Sequence, residues 1–183
     1  MKTRALWLLP VALIALLPAL PGLLSGGQLI PGDGFEIPLP GLAAAGRSLA
    51  GGELLLWTGD LYGGAPMLTA GGEGHIYPPN LLLYALLPAT LAFAWGVALH
   101  LLLSAAGAYT LARALGRTPG PALVAGVCWG FSGLAASHLV YLGFFEVLAW
   151  VPWPLAAAAL AVNRPRAGLW AGGGLALGMA WLA

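Results

Sequence analysis

The sequence predicts an all-α integral membrane protein, a polytopic helical bundle with a large, acidic first extracytoplasmic loop that carries short surface helices. Three observations predict it. Of the 183 residues, 60% are hydrophobic and 7% charged, with mean hydropathy +0.89. A soluble domain carries about 25% charged residues, so this much apolar surface calls for lipid as its solvent. Apolar runs long enough to cross a bilayer recur along the chain. The few charges are also segregated. Bases flank the runs as Lys2 with Arg4, Arg113 with Arg117 and Arg164 with Arg166, while Asp33, Glu36, Glu53, Asp60 and Glu73 gather in the stretch 25–79, leaving Glu146 as the one acid elsewhere.

The same composition narrows the function classes. A net charge of +1 with no basic patch argues against a nucleic-acid partner. The lone Cys128 permits no disulfide within the chain and reads as a packed thiol in an apolar run.

Taken in order, Lys2 and Arg4 precede an apolar run over residues 5–24. About 20 such residues cross a hydrocarbon core. A signal peptide has a shorter core, about 7–15 residues, and a small-residue cleavage site. Leu23-Leu24-Ser25-Gly26-Gly27 offers no Ala-x-Ala pattern, so the run reads as an uncleaved first span kinked at Pro10, Pro18 and Pro21. The positive-inside rule places the three base groups and the N-terminus in the cytoplasm. The loop 25–79, whose one base is Arg47, then lies outside.

Within the loop, Leu42, Ala45, Leu49 and Ala50 share a face at helical spacing, which predicts a surface helix over 40–50 ended by Gly51 and Gly52. From Gly59 to Pro79 the glycines and prolines predict a constrained coil. Residues 80–115 start outside and end inside, so they cross an odd number of times. Asn80 to Leu87 reads as an interfacial helix, and the crossing itself as 89–112. A third span is expected over 121–138, then a short aromatic outer turn, Tyr141 to Glu146, and a fourth span over 147–162 kinked near Pro152 and Pro154. A fifth begins at 167 and is still apolar at 183, so residues 1–183 read as the N-terminal part of one longer polytopic membrane domain.

Candidate chemistry concentrates in the loop. Asp33 sits between Gly32 and Gly34 just after the first span, where glycine lets the backbone approach a ligand. The ordinary reading of Asp beside Gly is a turn. Asp60, in Thr58-Gly59-Asp60, favours the turn reading more strongly. Glu73 and His75, one glycine apart, could share a metal, bind a hydroxylated substrate or act as acid and base, or simply be a solvated pair. A divalent metal, if one binds, falls to Asp33, Glu73 and His75, although a metal site usually needs three or more ligands. Arg47 could pair with a lipid phosphate, and its plainer reading is an exposed helix residue or one that binds bilayer headgroups. His100 lies within a span, where an ionisable group is a functional hypothesis by default; a neutral imidazole bonded to a neighbouring helix is the plainer reading. His138 and Glu146, at the outer ends of adjacent spans, could meet the loop and complete a polar pocket, or anchor the interface. Trp57, Trp150 and Trp153 read as interface and packing residues.

An ordered set of short motifs resembles a known family. Gly51-Gly52-Glu53-Leu54-Leu55-Leu56-Trp57, Gly63-Gly64-Ala65-Pro66-Met67, Tyr77-Pro78-Pro79-Asn80-Leu81-Leu82, Leu99-His100-Leu101, Tyr109, Leu111-Ala112-Arg113 and Leu115-Gly116 together resemble the N-terminal region of YfhO-like bacterial membrane proteins, within the GT-C glycosyltransferase superfamily. The resemblance covers about residues 5 to 165. Leu55 stands where the family commonly has proline, and Thr58-Gly59 where it has Asn-Pro. The resemblance implies a GT-C-like bundle in the bacterial inner membrane that transfers a sugar from a polyprenyl-phosphate donor to an envelope acceptor, by inversion, on the outer face. It implies Asp33 as general base or orienter of the acceptor hydroxyl, because the family's first outer loop carries an aspartate soon after the first span. Glu73 and His75, with Asp60 and Arg47, are then substrate-binding candidates, and a divalent metal is optional. A transporter or flippase, or a non-catalytic membrane scaffold, are the alternatives.

Overall fold

The computed structural model describes residues 17, 20–25, 38–59, 63–67, 74–138, 141–163 and 166–183, and these are mostly helical. Nine helices and two very short strands are described: α1 (Leu20–Leu24), α2 (Pro38–Ala50), β1 (Trp57–Thr58), β2 (Ala65–Pro66), α3 (Pro78–Leu86), α4 (Ala89–Ala114), α5 (Pro119–Gly130), α6 (Gly133–Ser137), α7 (Leu142–Trp150), α8 (Pro152–Asn163) and α9 (Ala167–Leu182). Among the described residues, three helical stretches are long and apolar enough to cross a membrane: Ala89–Ala114, Pro119–Ser137 and Leu142–Val162.

α4 is the axis of the bundle. Its buried residues, from Ala92 and Phe93 through His100, Leu101 and Ser104 to Tyr109 and Ala112, cover most of its circumference, and Trp95 and Leu99 lie exposed on the remaining side. One cluster packs Leu101 of α4 against Ala135 of α6 and Phe145 of α7, and another packs Tyr109 and Ala112 against Ala122 of α5. Helices in lipid associate through close backbone approach rather than hydrophobic exclusion, so small residues mark the contacts. A Cβ on Gly126 of α5 would lie 2.7 Å from the Ala105 carbonyl oxygen, and one on Gly130 would lie 3.0 Å from Ala105 Cβ. On the opposite flank Trp153 of α8 donates to the Leu103 carbonyl at 3.1 Å, and its indole fills the space beside Gly107.

The described parts of the first loop include regular elements. β1 and β2 pair antiparallel, Trp57 opposite Pro66, with the Trp57 ring over Gly64. α2 begins at Pro38, and its buried face of Leu39, Leu42, Ala43 and Ala45 lies on protein. There it packs with Tyr84 of α3, Ala92 and Phe93 of α4 and Leu142 of α7. Gly46 of α2 rests directly on the Tyr84 backbone. The loop helices therefore sit at the end of the bundle where α4 and α7 begin. Arg113, at the end of α4, and Arg166, at the start of α9, lie at the opposite end.

Several expectations from the sequence need correction. Pro78 and Pro79 are not coil; they open α3, where the missing amide hydrogens cost nothing and φ is already helical, so the helix runs over 78–86 rather than 80–87. The expected outer turn Tyr141 to Glu146 is helix from Leu142 onward, and the apolar stretch spans 142–162 rather than 147–162. Its aromatic richness masked a helical period, with Leu142, Phe145, Glu146 and Ala149 all on the buried side. The span expected over 121–138 runs from Pro119 and breaks at Phe131–Ser132, where Ser132 caps α6 by accepting from the Ala135 amide at 3.2 Å. α4 extends to Ala114, beyond 112. Cys128 is exposed on α5, not packed. Of the first span expected over 5–24, all but Leu17 and 20–24 lie outside the described residues.

Replacing Gly126 with isoleucine is expected to push α5 off α4. Overpacking of this kind costs about 1–3 kcal/mol. A lowered thermal midpoint of the purified protein in detergent checks it.

Candidate functional site

The site forms where the end of the first loop meets α4 and α7. Gly74 has φ +65°, a left-handed conformation natural to glycine, and its carbonyl accepts the Tyr77 amide at 3.1 Å. This turn drives the Tyr77 ring into the bundle, where it has no solvent exposure, just before the two prolines start α3. Asn80, in the first turn of α3, is then aimed at α7.

Two polar groupings result. The first is a relay. Trp150 Nε1 donates to Tyr77 Oη at 2.7 Å, and Tyr77 Oη lies 2.8 Å from His100 Nε2. His100 Nδ1 lies 2.7 Å from the Gly96 carbonyl one turn earlier on α4. Donor rules fix every proton in it. An indole nitrogen only donates and a carbonyl only accepts. His100 therefore carries its proton on Nδ1, its Nε2 accepts from the Tyr77 hydroxyl, and that hydroxyl accepts from Trp150. The neutral imidazole satisfies all four groups. The Tyr77 and His100 rings are tilted at 43° with centroids 5.5 Å apart.

The second grouping is centred on Glu146, which has no solvent exposure. Asn80 Nδ2 donates to Glu146 Oε2 at 3.0 Å, with the Gly74 carbonyl as a longer partner at 3.4 Å. Glu146 Oε1 lies 4.0 Å from His100 Nδ1. The turn closes over this pair, since a Cβ on Gly74 would come within 2.6 Å of Asn80 Nδ2 and 2.9 Å of Glu146 Oε2. Burial raises the Tyr77 and Tyr84 phenols well above their ordinary range, so both stay protonated and able to donate.

The sequence candidates distribute unevenly around this site. Asp33, Asp60 and Glu73 lie outside the described residues. His75 is buried, its ring against Gly41 of α2, and burial lowers its pKa so that it is neutral near pH 7. It helps seat α2 on the turn. Arg47 is exposed in the last turn of α2, about 9 Å along the axis from Gly41 at 1.5 Å per residue, and is not brought to His75. Of the pair His138 and Glu146, only Glu146 meets the loop. His138 is partly buried, stacked on Phe144 at 4.4 Å, with its Nδ1 2.8 Å from the Leu134 carbonyl. Trp150 is more than an interface residue, because it closes the relay. Among the described residues, no group of three or more His, Cys, Asp or Glu is placed to hold a metal ion.

Tyr77, Asn80 and Trp150 were not singled out for chemistry in the sequence. The available signals were the Tyr-Pro-Pro-Asn string and the isolation of Glu146 as the one acid outside the loop.

Tyr77→Phe is expected to strand the Trp150 indole and His100 Nε2 together. An unpaired buried polar group costs about 1–3 kcal/mol. Its effect should be strongly non-additive with Trp150→Phe, which a double-mutant cycle on unfolding free energy reads directly. Comparison with protein-family models, with curated proteins and with solved structures returned no match.

Proposed function

We propose that this chain belongs to a membrane transferase that moves a sugar from a polyprenyl-phosphate donor to an envelope acceptor at the extracytoplasmic face. One observation carries the reading: the acid-rich first loop is folded back on the bundle through α2, α3 and the 74–80 turn. A loop fixed in this way can hold groups at the level of lipid headgroups, where a lipid-linked donor presents its phosphate. The ordered motif resemblance and the separation of bases from the loop-bearing end support the same orientation. Asp33 is the proposed general base or orienter of the acceptor hydroxyl. The lipid phosphate is a competent leaving group, so the protein need supply only a base on the far side of the sugar and stabilisation of the departing charge. Glu73, Asp60 and Arg47 are proposed to contact acceptor or donor, and His75 to position the loop.

A second reading has its own support. His100 and Glu146 are ionisable, fully buried and 4.0 Å apart within apolar helices. Such groups in transport proteins mark ion or proton pathways.

The full-length protein in liposomes, given a labelled lipid-linked sugar, separates the two. General-base catalysis is worth about 10²–10⁴-fold, so Asp33→Asn should lose transfer by that factor. Transfer by Asp33→Asn equal to wild type contradicts the first reading. Solute uptake that depends on His100 and not on Asp33 establishes the second.

A further inference from the structure

Asn80 and Glu146 carry half of a hydrogen-bonded pair. Asn80 Nδ2 donates to Glu146 Oε2 at 3.0 Å, yet the other oxygen of each side chain, Asn80 Oδ1 and Glu146 Oε1, is buried with no hydrogen-bond partner. The two residues are 1% and 0% exposed. An amide oxygen and an ionised carboxylate oxygen both only accept, so neither can satisfy the other. One proton can resolve both. On Oε1 it makes a donor, and the Asn80 side chain already joined to Glu146 through Nδ2 offers its amide oxygen as the acceptor. Acid and amide then close a ring of two hydrogen bonds, N–H to Oε2 and O–H to Oδ1.

We propose that Glu146 is held as a neutral carboxylic acid paired head to head with the Asn80 carboxamide, forming a proton-binding site that fastens the end of the first loop to α7. The inference stands apart from the transfer reading and survives its failure.

The surroundings supply no competing positive charge among the described residues. From α4 only His100 faces the carboxyl, and its Nδ1 proton is committed to the Gly96 carbonyl while Nε2 accepts from Tyr77. A second proton on that imidazole would leave the Tyr77 hydroxyl without its acceptor. From the turn and α3 the titratable groups are Tyr77 and Tyr84, both protonated phenols, and His75, which packs on α2. α6, α8 and α9 contain no titratable side chain, and the Ala183 oxygen after α9, 3.3 Å from where a Cβ on Gly74 would sit, brings no positive charge. Arg47 is exposed on α2, and His138 is partly buried and stacked on Phe144. A metal cation is a poorer occupant than a proton. The Gly74 backbone already lies against the pair, and no third ligand joins it among the described residues.

Infrared spectroscopy of the full chain in liposomes tests this, with glutamate carboxyls carbon-13 labelled and the pH well above the range in which exposed carboxyls titrate. The expected result is one protonated-carboxyl carbonyl band that moves with the isotope, disappears in Glu146→Gln and shifts in Asn80→Leu. Gln reproduces both hydrogen bonds through its own amide, so Glu146→Gln should fold with a wild-type thermal midpoint. Absence of the band in wild type overturns the proposal, as does a band that persists in Glu146→Gln. Failure of Glu146→Gln to fold overturns it too, because a neutral amide would then not replace the group.

Discussion

A carboxyl group away from water must find its partners within the protein. That constraint, applied to Glu146, organises the loop-bearing end of this molecule. The partner comes from 66 residues earlier, on a helix that does not cross the bundle. For Asn80 to reach α7, the chain must turn at Gly74, bury Tyr77 and begin α3 on two prolines. The Tyr77 relay to His100 and Trp150 then follows from the same placement. A short stretch, 74–80, thus ties α3, α4 and α7 together through hydrogen bonds and the buried Tyr77 ring, and the apolar cluster of Leu39, Leu42, Tyr84, Phe93 and Leu142 seals α2 over them.

Polar fastening of this kind has a physical logic in lipid. Apolar side chains gain little by leaving one apolar phase for another, so specificity between helices comes from close packing and hydrogen bonds. Both devices are present. Gly107, Gly126 and Gly130 allow close approach in the second half of α4, and the Tyr77–His100 hydrogen bond lies at its middle.

Much of the architecture was legible from periodicity and charge. The apolar run from Ala89, the short helix before it and the helix near residues 40–50 could all be read because Pro88, Gly51 and Gly52 punctuate them. The start of α7 was not legible. Tyr141 to Glu146 is rich in aromatic residues and contains an acid, which resembles an interfacial turn; only the distant Asn80 explains why an acid is tolerated in a buried helix. Tyr77 and Asn80 were hidden for the same reason, since Gly, Pro and Asn describe a turn locally while their partners lie on α4 and α7. His100 was read as a neutral imidazole bonded to a neighbouring helix; its partners are instead Tyr77, just before α3, and the Gly96 carbonyl of its own helix. Asp33, Asp60 and Glu73 rest on sequence and resemblance alone.

The central claim is that the first loop is clamped to a spanning helix by contact between the Asn80 carboxamide and the Glu146 carboxyl. Asparagine occurs only at positions 80 and 163, so side-chain nitrogen-15 labelling of asparagine with carboxyl carbon-13 labelling of glutamate makes the contact nearly unique. Dipolar-recoupling solid-state NMR on the protein in bilayers should show one strong nitrogen–carbon coupling, lost when Asn80 is replaced by leucine. A spectrum with no such coupling contradicts the account.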